Sequence, residues 1–353
     1  MRGTVNNSKL QVGIVGVGGI GHDQHLPAWS KVPFAQMIAA ADLSEEALQR
    51  ATTVVPHLRT FRDWHDLIGL AEVDIVDICT PNATHAPIAL AALAAGKHVL
   101  CEKPLATSAA EVRAMRDQAQ SVGRMLMAAQ HFRFDPACRQ LKALIDGGML
   151  GEVYYARAQW LRRRLLPPRA TFIDRRLSGG GAALDIGVHV LDLAYWFMGA
   201  PEPVAVSATV ETKLAKRSDL GGNWGDWDRD RIDVEDFAAG FVRFANNAVL
   251  TLEASWLTFQ PENELIRLQC YGTRGGLIWP EGTVTGETHR VPWDLRTKEC
   301  PKIQVHAELI LNFAQAVHDG LPSPIPVEES LNVARMLDGI YKSGREKREV
   351  MLT

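Results

Sequence analysis

Gln11-Val12-Gly13-Ile14-Val15-Gly16-Val17-Gly18-Gly19-Ile20-Gly21 is the stretch that decides the fold of the first part of this chain. An apolar strand runs directly into a Gly-x-Gly-x-x-Gly pattern, and a helical pattern follows from Ile20. Gly16 permits a tight turn, Gly18 lets the backbone approach a pyrophosphate, and Gly21 allows close packing of helix and strand. The amides at the helix N-terminus, including those of Gly19 and Ile20, then predict a phosphate site.

The residue after the second predicted strand indicates which dinucleotide fits. Strand 37–41 ends in Asp42, about twenty residues beyond the last glycine, and Leu43 follows with no arginine beside it. A carboxylate at this position suits the hydroxyls of the adenine ribose and repels a 2′-phosphate. We therefore expect NAD as cofactor, with NADP less favoured. The alternative is a glycine turn with a purely structural role. The strand before it, the helix after it and Asp42 at the expected spacing argue against that alternative.

Strand-like and helix-like segments alternate through the first third of the chain. The predicted strands cover 10–15, 37–41, 73–79, 99–101 and 125–129, and the predicted helices start near 20, 44, 86 and 108. Such alternation is typical of a parallel sheet with helices on both faces. We predict an α/β protein whose N-terminal Rossmann domain, a doubly wound parallel sheet, occupies residues 1–130.

The remaining sequence has a different pattern of secondary structure, with mostly β-rich runs, and predicts a second, α+β domain over residues 131–353. After a helix near 137–145, β-rich runs occur at 153–160, 204–212, 237–244, 248–256 and 265–271. This pattern predicts a large, mostly antiparallel, open-faced sheet. Helices near 182–198 and 303–319 should cover one face and leave the other for a ligand or another subunit. A last helix, near 326–343, could pack back on the N-terminal domain.

Composition excludes several function classes. The chain has 353 residues, 46% hydrophobic and 22% charged, and a formal net charge of -3, which favours a small-molecule ligand over nucleic acid or a membrane surface. The stretch Met1–Lys9 is polar, with no apolar signal-peptide segment, so a cytoplasmic location is expected. Five scattered cysteines without a CxxC pair predict buried thiols and no metal site.

Two further loops leave predicted strands at their C-terminal ends, where such sheets bind ligands. Thr80-Pro81-Asn82-Ala83-Thr84-His85 is expected to reach the cofactor ribose or nicotinamide, although Asn82, Thr84 or His85 could instead cap the following helix. Glu102-Lys103-Pro104 closes the strand 99–101, so Glu102 and Lys103 are candidate cofactor contacts. A solvated lysine in a turn is the alternative for Lys103. Pro104 stiffens the corner and could adopt a cis bond.

The segment Ser178-Gly179-Gly180-Gly181-Ala182-Ala183-Leu184-Asp185-Ile186-Gly187-Val188-His189 carries a second pair of candidates. Asp185 and His189 are four residues apart, so on a helix they project from one face toward a common ligand. The glycines ahead of them would let backbone approach that ligand. A carboxylate beside an imidazole suits a general base. An ordinary helical Asp/His pair is the alternative, and Asp192 is either helix surface or a supporting residue.

Taken together, these motifs resemble the Gfo/Idh/MocA oxidoreductase family, which includes glucose-fructose oxidoreductase and inositol dehydrogenases. The resemblance runs nearly end to end and rests on the glycine turn, Thr80-Pro81-Asn82-x-x-His85, the segment 95–104 and the segment 178–189. It implies a Rossmann domain and a C-terminal sheet used to form a homodimer or homotetramer. It also implies a catalytic Lys, Asp and His matching Lys103, Asp185 and His189.

The chemistry that these residues could perform is oxidation of a sugar-like carbinol by hydride transfer to nicotinamide. His189 would accept the hydroxyl proton, Lys103 would stabilise the alkoxide and Asp185 would orient the hydroxyl or the imidazole. Either His189 or Lys103 could be the kinetic base. The expected function is an NAD-dependent dehydrogenase of a cyclic polyol, sugar or glycoside. The alternatives are an NAD-dependent glycosidase, acting by transient oxidation at carbon 3 and elimination, and a non-catalytic NAD-sensing regulator.

The same resemblance places Arg133, Trp160 and Arg162 in the substrate site together with Lys103, Asp185 and His189. His131-Phe132-Arg133 departs from the Asn-Tyr-Arg frequent in the family, which argues against an inositol substrate. Trp160 could stack on a pyranose or lie in the core. The arginine cluster in 162–176 is either a solvated loop or a site for an anionic substrate. Trp224 and Trp227 could form a lid, a subunit contact or a surface loop.

Overall fold

A computed structural model describes residues 9–352, so the polar segment 1–8 discussed above and residue 353 lie outside the described residues. The chain divides into two compact units. The first unit contains the chain up to Leu105, Glu111–His131 and Ile303–Val327. The second contains Ala106–Ala110, Phe132–Lys302 and the chain from Glu328 onward. The segment Ile303–Val327 therefore groups with the first unit, whereas a single boundary near residue 130 would place it in the second.

The first unit is built on a six-stranded parallel sheet in the order β3-β2-β1-β4-β5-β6. Its strands are β1 Leu10–Val15, β2 Ala35–Ala41, β3 Arg59–Phe61, β4 Ile75–Ile78, β5 His98–Cys101 and β6 Leu126–Ala128. The central strands are buried because helices cover both faces, as in doubly wound sheets generally. The predicted doubly wound parallel sheet is confirmed. The sequence did not predict β3, a three-residue edge strand whose residues are largely exposed.

Helices connect the strands of this sheet. In the first 130 residues they are α1 Leu26–Trp29, α2 Glu45–Val54, α3 Trp64–Ile68, α4 His85–Ala94 and α5 Ala109–Val122. A π-helical turn, Gly21–His25, precedes α1, so the helix that follows the glycine turn begins with wider spacing than an α-helix. Ser44, at the predicted start of this helix, caps α2, with its hydroxyl accepting a hydrogen bond from the Ala47 amide at 3.2 Å.

The second unit is built on a nine-stranded sheet in the order β14-β13-β12-β11-β7-β10-β9-β8-β15. Its strands are β7 Val153–Arg162, β8 Pro203–Glu211, β9 Phe237–Phe244, β10 Val249–Ser255, β11 Glu264–Gly272, β12 Gly275–Trp279, β13 Thr283–Thr288, β14 Val291–Arg296 and β15 Val350–Met351. Among the strand pairs that residues 9–352 form in this sheet, only β7–β10 is parallel. The prediction of a mostly antiparallel sheet is confirmed. Strands β12 to β15 were not predicted, because strands of two to six residues are too short to show a clear alternation.

The remaining helices are α6 Pro136–Asp146, α7 Ala170–Ile173, α8 Arg175–Ser178, α9 Val188–Phe197, α10 Val305–Asp319 and α11 Val327–Glu346. A second π-helical turn, Ala183–Gly187, runs directly into α9. Helix α9 packs on the central strands β7, β10 and β11. Helix α11 packs on β8 and β9, where Gly339 lies against Val206 and Ile340 against Gly240.

The expectation that helix 303–319 covers the second sheet is wrong. Helix α10 belongs to the first unit and packs on α1 and on the π-helical turn before it. Its buried residues include Leu309, Ile310 and Phe313. An amphipathic helix buries its apolar stripe against whichever apolar surface is available. Because α9 and α11 already cover the second sheet, that surface is in the first unit. Among the helices of residues 9–352, none is long and apolar enough to cross a membrane.

Candidate functional site

The three glycines of the nucleotide turn have different structural roles. Gly16 has a φ of 90°, and a Cβ there would lie 2.6 Å from the Cys79 carbonyl oxygen. A Cβ on Gly21 would lie 2.1 Å from the Gly16 carbonyl oxygen. A Cβ on Gly18 would meet no protein atom within 4 Å. The fold therefore requires Gly16 and Gly21, whereas the space beside Gly18 is open, as a pyrophosphate requires.

Asp42 lies where the sequence placed it, at the end of β2 beside the glycine turn. Its Oδ2 accepts a hydrogen bond of 2.9 Å from the Val17 amide, and its Oδ1 accepts one of 2.8 Å from the Ser44 amide. These two bonds hold the carboxylate at the nucleotide turn. Each oxygen keeps further acceptor capacity, so the carboxylate can still bind ribose hydroxyls.

His85 connects the loop between β4 and α4 with the loop after β5 through contacts of its ring nitrogens. This residue is fully buried, with Nδ1 2.8 Å from the Pro104 carbonyl oxygen and Nε2 2.8 Å from that of Thr80. Burial lowers the pKa of His85, so the ring is neutral and donates to one of the two carbonyls. The structure therefore gives His85 a structural role in place of the predicted cofactor contact. The Thr84 hydroxyl donates to the Pro81 carbonyl at 2.7 Å and does not cap α4.

Glu102 and Lys103 directly follow β5, and the Lys103–Pro104 bond is cis. Glu102 is buried, with Oε1 3.0 Å from His25 Nε2 and Oε2 accepting the Lys103 backbone amide at 3.0 Å. Burial raises the pKa of Glu102, but the hydrogen bond and charge of His25 outweigh this and bring it to about 2. The Glu102 carboxylate is thus used inside the first unit, which replaces its predicted contact with the cofactor. Lys103 is partly buried at the strand end.

His25 is the centre of a buried polar cluster that the sequence did not reveal. Its Nδ1 lies 2.8 Å from Asp77 Oδ2, which also accepts the Trp29 indole N–H at 2.7 Å. His306 Nε2 lies 3.8 Å from Glu102 Oε1. No local motif links His25 to Asp77, because they are 52 residues apart and meet only through the sheet.

Two donor sets in the described chain have the spacing of a metal site: His25 with Glu102 and His306, and His25 with Asp77 and Cys79. Both sets depend on a ring nitrogen of His25, and each of those nitrogens already contacts a carboxylate. We therefore interpret the cluster as a hydrogen-bond network. The absence of a metal site stays a prediction from the sequence.

In the second unit, Asp185 lies within the π-helical turn and His189 near the start of α9. Asp185 Oδ2 accepts the indole N–H of Trp256 at 3.0 Å and lies 4.0 Å from Arg162 Nη1. The His189 ring is 7% exposed and lies 5.4 Å from the Trp160 ring, centroid to centroid. Both side chains therefore contact the aromatic surface at the ends of the central strands.

Trp160 and Arg162 share one acceptor at the end of β7. Glu264 Oε1 accepts the Trp160 indole N–H at 2.8 Å and Arg162 Nε–H at 2.7 Å. The Arg162 guanidinium lies 5.3 Å from the Trp160 ring and 4.8 Å from the Trp224 ring, within cation–π range. The structure thus brings together Trp160, Arg162, Asp185 and His189, four of the predicted site residues, in the second unit.

The two tryptophans of the long loop differ. Trp224 is 50% exposed and lies against Arg162 at the edge of this cluster. Trp227 is buried in the core of the second unit, and its indole N–H donates to the Ala215 carbonyl at 2.7 Å. A lid role is therefore available to Trp224, whereas Trp227 anchors the loop.

Arg133 is buried away from solvent in an ion-pair network. Its guanidinium donates to both oxygens of Asp192, at 2.8 and 2.6 Å, and also contacts Glu329. Arg133 is 4% exposed and Asp192 1%, so the helix-surface interpretation of Asp192 is wrong. Because two carboxylates already use the guanidinium, the structure favours a structural role for Arg133 over the predicted contact with substrate.

The glycines before Asp185 serve the protein's own packing, which corrects the expectation that they make room for a ligand. A Cβ on Gly180 would lie 2.1 Å from the Tyr341 hydroxyl, and one on Gly181 would lie 1.9 Å from the Glu235 carbonyl oxygen. The Glu235 carboxylate accepts the Gly181 and Ala183 amides at 2.8 and 3.0 Å and the Tyr341 hydroxyl at 2.8 Å. Burial raises the pKa of Glu235 despite these bonds. Sequence reasoning missed both Glu235 and Tyr341.

The arginine cluster in 162–176 contacts acceptors of the protein itself. Arg164 Nε donates to the Gly221 carbonyl, Arg175 to the Asp233 carbonyl and Arg176 to the Asp174 carboxylate. Arg162 is held by Glu264, as described above. The guanidinium groups therefore anchor neighbouring loops, and the alternative of an anionic substrate gains no support from them.

Both units match models of known protein families. Residues 10–130 match the model of an oxidoreductase family with an NAD-binding Rossmann fold, and residues 138–278 match the GFO/IDH/MocA C-terminal domain. The chain belongs to the Gfo/Idh/MocA oxidoreductase family. The predicted family, the oxidoreductase class and NAD as cofactor are thereby confirmed.

Proteins similar to this chain include sugar dehydrogenases. A D-glucoside 3-dehydrogenase of Escherichia coli K12 is 31% identical over 353 residues, covering all of both chains. A levoglucosan dehydrogenase of Pseudarthrobacter phenanthrenivorans is 31% identical over 293 residues, covering 76% of this chain and 73% of its own. The structure of a levoglucosan dehydrogenase in complex with NADH and levoglucosan superposes with a TM-score of 0.83 at 26% identity, covering 98% of this chain and 100% of that one.

Proposed function

We propose that this oxidoreductase oxidises a secondary ring hydroxyl of a sugar, glycoside or cyclic polyol to a ketone. The proposal rests on one observation. Four side chains of the second unit lie close together, those of Asp185, His189, Trp160 and Arg162. A carboxylate and an imidazole suit a hydroxyl group, and an indole face suits the apolar face of a pyranose. This cluster does not favour a strongly anionic substrate, because the carboxylates of Glu264 and Asp185 balance the positive charge of Arg162.

The relatives support a narrower substrate class. A D-glucoside 3-dehydrogenase matches the whole chain, and a levoglucosan dehydrogenase matches three quarters of it. Both names describe oxidation of a pyranose whose anomeric carbon is blocked. We therefore propose a D-glucoside-like pyranoside as substrate, with the hydroxyl on carbon 3 as the group oxidised.

The nucleotide turn and Asp42 are the groups proposed to hold the cofactor. The open space beside Gly18 would take the pyrophosphate, and the Asp42 oxygens would accept the ribose hydroxyls. Bound NAD supplies the hydride acceptor at nicotinamide C4. All other steps are assigned to side chains of the protein.

In the proposed reaction His189, with a neutral imidazole, would take the proton of the substrate hydroxyl as the hydride leaves the carbon that bears this hydroxyl. The products are the ketone, NADH and a protonated imidazole, so atoms and charge balance. Asp185, held by Trp256, orients the hydroxyl or the imidazole. Lys103, at the end of β5, stabilises the developing alkoxide.

The test is a screen for NADH formation with methyl β-D-glucopyranoside, levoglucosan, D-xylose and myo-inositol. We expect the first two to be oxidised fastest. His189→Ala should lower kcat by about a thousandfold, as expected for loss of a general base. His289→Ala is the matched control, since that histidine is exposed in the second unit. Wild-type kcat in His189→Ala would overturn the assigned role.

The same screen separates the alternative reactions. Release of an aryl leaving group from a nitrophenyl glucoside without net NADH would favour the NAD-dependent glycosidase. Full biological activity of Lys103→Ala, with no sugar oxidised by the wild type, would favour the regulatory alternative. If His189→Ala removes the acidic limb of the pH profile of kcat/KM whereas Lys103→Ala keeps that limb, His189 is the kinetic base.

We also propose that copies of this chain form a homodimer or homotetramer through the sheet of the second unit. One face of that sheet is not covered by α9 or α11 and carries the network of Tyr155 with Thr251, at 3.1 Å, and of Arg157 with Glu253, at 2.9 Å. Light scattering should show a defined oligomer that Thr251→Arg dissociates. Thr288→Arg, on the exposed strand β13, is the control. A monomeric wild type would contradict this proposal.

A further inference from the structure

A continuous chain of hydrogen bonds runs through the first unit to the backbone of Lys103. The Trp29 indole N–H donates to Asp77 Oδ2 at 2.7 Å, and the same oxygen lies 2.8 Å from His25 Nδ1. His25 Nε2 lies 3.0 Å from Glu102 Oε1. Glu102 Oε2 accepts the Lys103 amide at 3.0 Å. His25, Asp77 and Trp29 are at most 1% exposed, so the chain is shielded from water.

Geometry and charge together determine the protonation state of His25. Its ring nitrogens lie 2.8 and 3.0 Å from carboxylate oxygens, whose negative charges favour a ring that donates from both nitrogens, whereas the partners of the neutral His85 are uncharged carbonyls. Burial lowers the pKa of His25, but the charge of Asp77 outweighs this, and the pKa lies well above its usual value. His25 is therefore an imidazolium that donates to both carboxylates, and these charge-assisted bonds are strong.

This imidazolium restrains Glu102. With Oε1 bound to His25 and Oε2 bound to the Lys103 amide, the Glu102 side chain cannot rotate without breaking a buried charged hydrogen bond. The backbone of Lys103, directly beyond β5, is held through that carboxylate. The direction of the Lys103 side chain follows from its backbone, and a misplacement of about 1 Å can lower a rate about a hundredfold.

We propose that His25 is a positioning residue for Lys103, acting through Glu102. This inference rests on the proposed function, in which Lys103 stabilises the alkoxide. His25 touches no reacting group in this account. The neighbouring His306 lies 3.8 Å from Glu102 Oε1 and His131 stacks on His306 at 4.6 Å, which closes the carboxylate off from bulk water.

The test compares His25→Asn with wild type on whichever of the four sugars named above is oxidised fastest. Asparagine carries both of its N–H donors on one nitrogen, which cannot replace the two separate ring nitrogens that face Asp77 and Glu102, so one carboxylate loses its partner. We expect kcat to fall by about 10- to 100-fold, with the substrate KM and the Kd of NADH changed by less than about threefold. The control is His65→Asn, because that ring is exposed on α3 of the same unit. Equal kcat in His25→Asn and wild type would overturn the inference.

A double-mutant cycle with Lys103→Ala separates positioning from general destabilisation. If His25 acts through Lys103, adding His25→Asn to Lys103→Ala should change the residual kcat by less than about twofold. An additive loss would overturn the inference and assign His25 to the fold alone. If Lys103→Ala itself has wild-type kcat, the proposed function fails first, which is a different result.

Asp77→Asn provides a second variant if His25→Asn does not fold. The amide keeps the shape of the side chain but removes the charge that holds the imidazolium, so kcat should fall in the same direction by a smaller factor. Elemental analysis of the purified protein completes the test. One bound equivalent of a divalent metal, with loss of kcat on chelation, would overturn the hydrogen-bond account in favour of metal binding by His25, Glu102 and His306.

Discussion

The indole Nε1 of Trp256 donates a hydrogen bond of 3.0 Å to Oδ2 of Asp185. Trp256 directly follows β10 and is fully buried, whereas Asp185 lies in the π-helical turn before α9. The same turn approaches β10 closely at Gly187, where an added Cβ would lie 3.0 Å from the Ala254 Cβ. The position of Asp185 is therefore set by the strand beneath it, and π-helical turns are common at functional sites.

Trp256→Phe should lower kcat by about tenfold, because a hydrogen bond to a charged group contributes about 1.5–3 kcal/mol and orients Asp185. The thermal midpoint should also fall, because the same hydrogen bond stabilises the fold and the smaller ring leaves space in the core. The measurement is kcat beside the Tm of the same preparation. Trp227→Phe is the control, because that indole also donates a buried hydrogen bond, but its acceptor is the Ala215 carbonyl and not a candidate residue. Equal loss of kcat in both variants would contradict the prediction.

Gly18→Ala and Gly21→Ala should separate cofactor binding from folding. A Cβ on Gly18 has no protein atom within 4 Å, so the variant should keep its Tm but bind NADH at least tenfold more weakly. A Cβ on Gly21 would lie 2.1 Å from the Gly16 carbonyl, so that variant should lose stability or fail to fold. Fluorescence titration with NADH and thermal unfolding measure the two effects. A Gly18→Ala protein with wild-type NADH affinity would refute the assignment.

Asp42→Asn should shift cofactor preference toward NADP. Removal of the charge relieves repulsion of a 2′-phosphate, while the amide oxygen can still accept the Val17 or Ser44 amide. We expect the ratio of kcat/KM for NADP to that for NAD to rise about tenfold, which corresponds to about 1.4 kcal/mol. Asp63→Asn, which changes the cap of α3 in the same unit, should leave the ratio unchanged.

The stability that His25 contributes should depend on pH with a defined sign. Its pKa in the folded protein is raised well above the usual value, so the contribution is complete below the unfolded-state value of about 6.5 and is lost as the pH rises through the folded-state pKa. The difference in Tm between wild type and His25→Asn should therefore be largest near pH 6 and smaller in alkaline solution. A difference that grows with pH would show that His25 is neutral in the fold.

Asp192→Asn should destabilise the second unit without weakening substrate binding. It leaves the buried Arg133 guanidinium without its bidentate carboxylate, and breaking one partner of a buried pair costs about 3–5 kcal/mol. Urea unfolding measures the loss, and the substrate KM should stay within about twofold of wild type. Arg133→Met combined with Asp192→Leu should recover part of the stability. A large rise in KM would instead restore Arg133 to the substrate site.

Local patterns were sufficient to predict all strands of the first sheet except β3, and the five consecutive strands β11-β7-β10-β9-β8 of the second. The glycine turn, the Ser44 cap and the alternation of strands and helices act over a few residues, so they can be read directly from the sequence. Short or polar edge strands such as β3 and β14 lack that signal. Helix α10 illustrates a second limit of prediction from sequence. Its amphipathic pattern predicts that one face is buried, but not which part of the protein packs against that face.

The sequence by itself determined the class of fold, the NAD turn with Asp42 and the family. It also proposed Lys103, Asp185 and His189 as catalytic candidates, because strand-end and glycine motifs and the family resemblance indicate them. Only the tertiary structure decided what supports these residues. Trp256 beneath Asp185, Glu235 under the glycines and His25 behind Glu102 come from distant parts of the chain. Such contacts arise from packing of separate elements, which no spacing along the sequence encodes, and packing also paired Arg133 with Asp192.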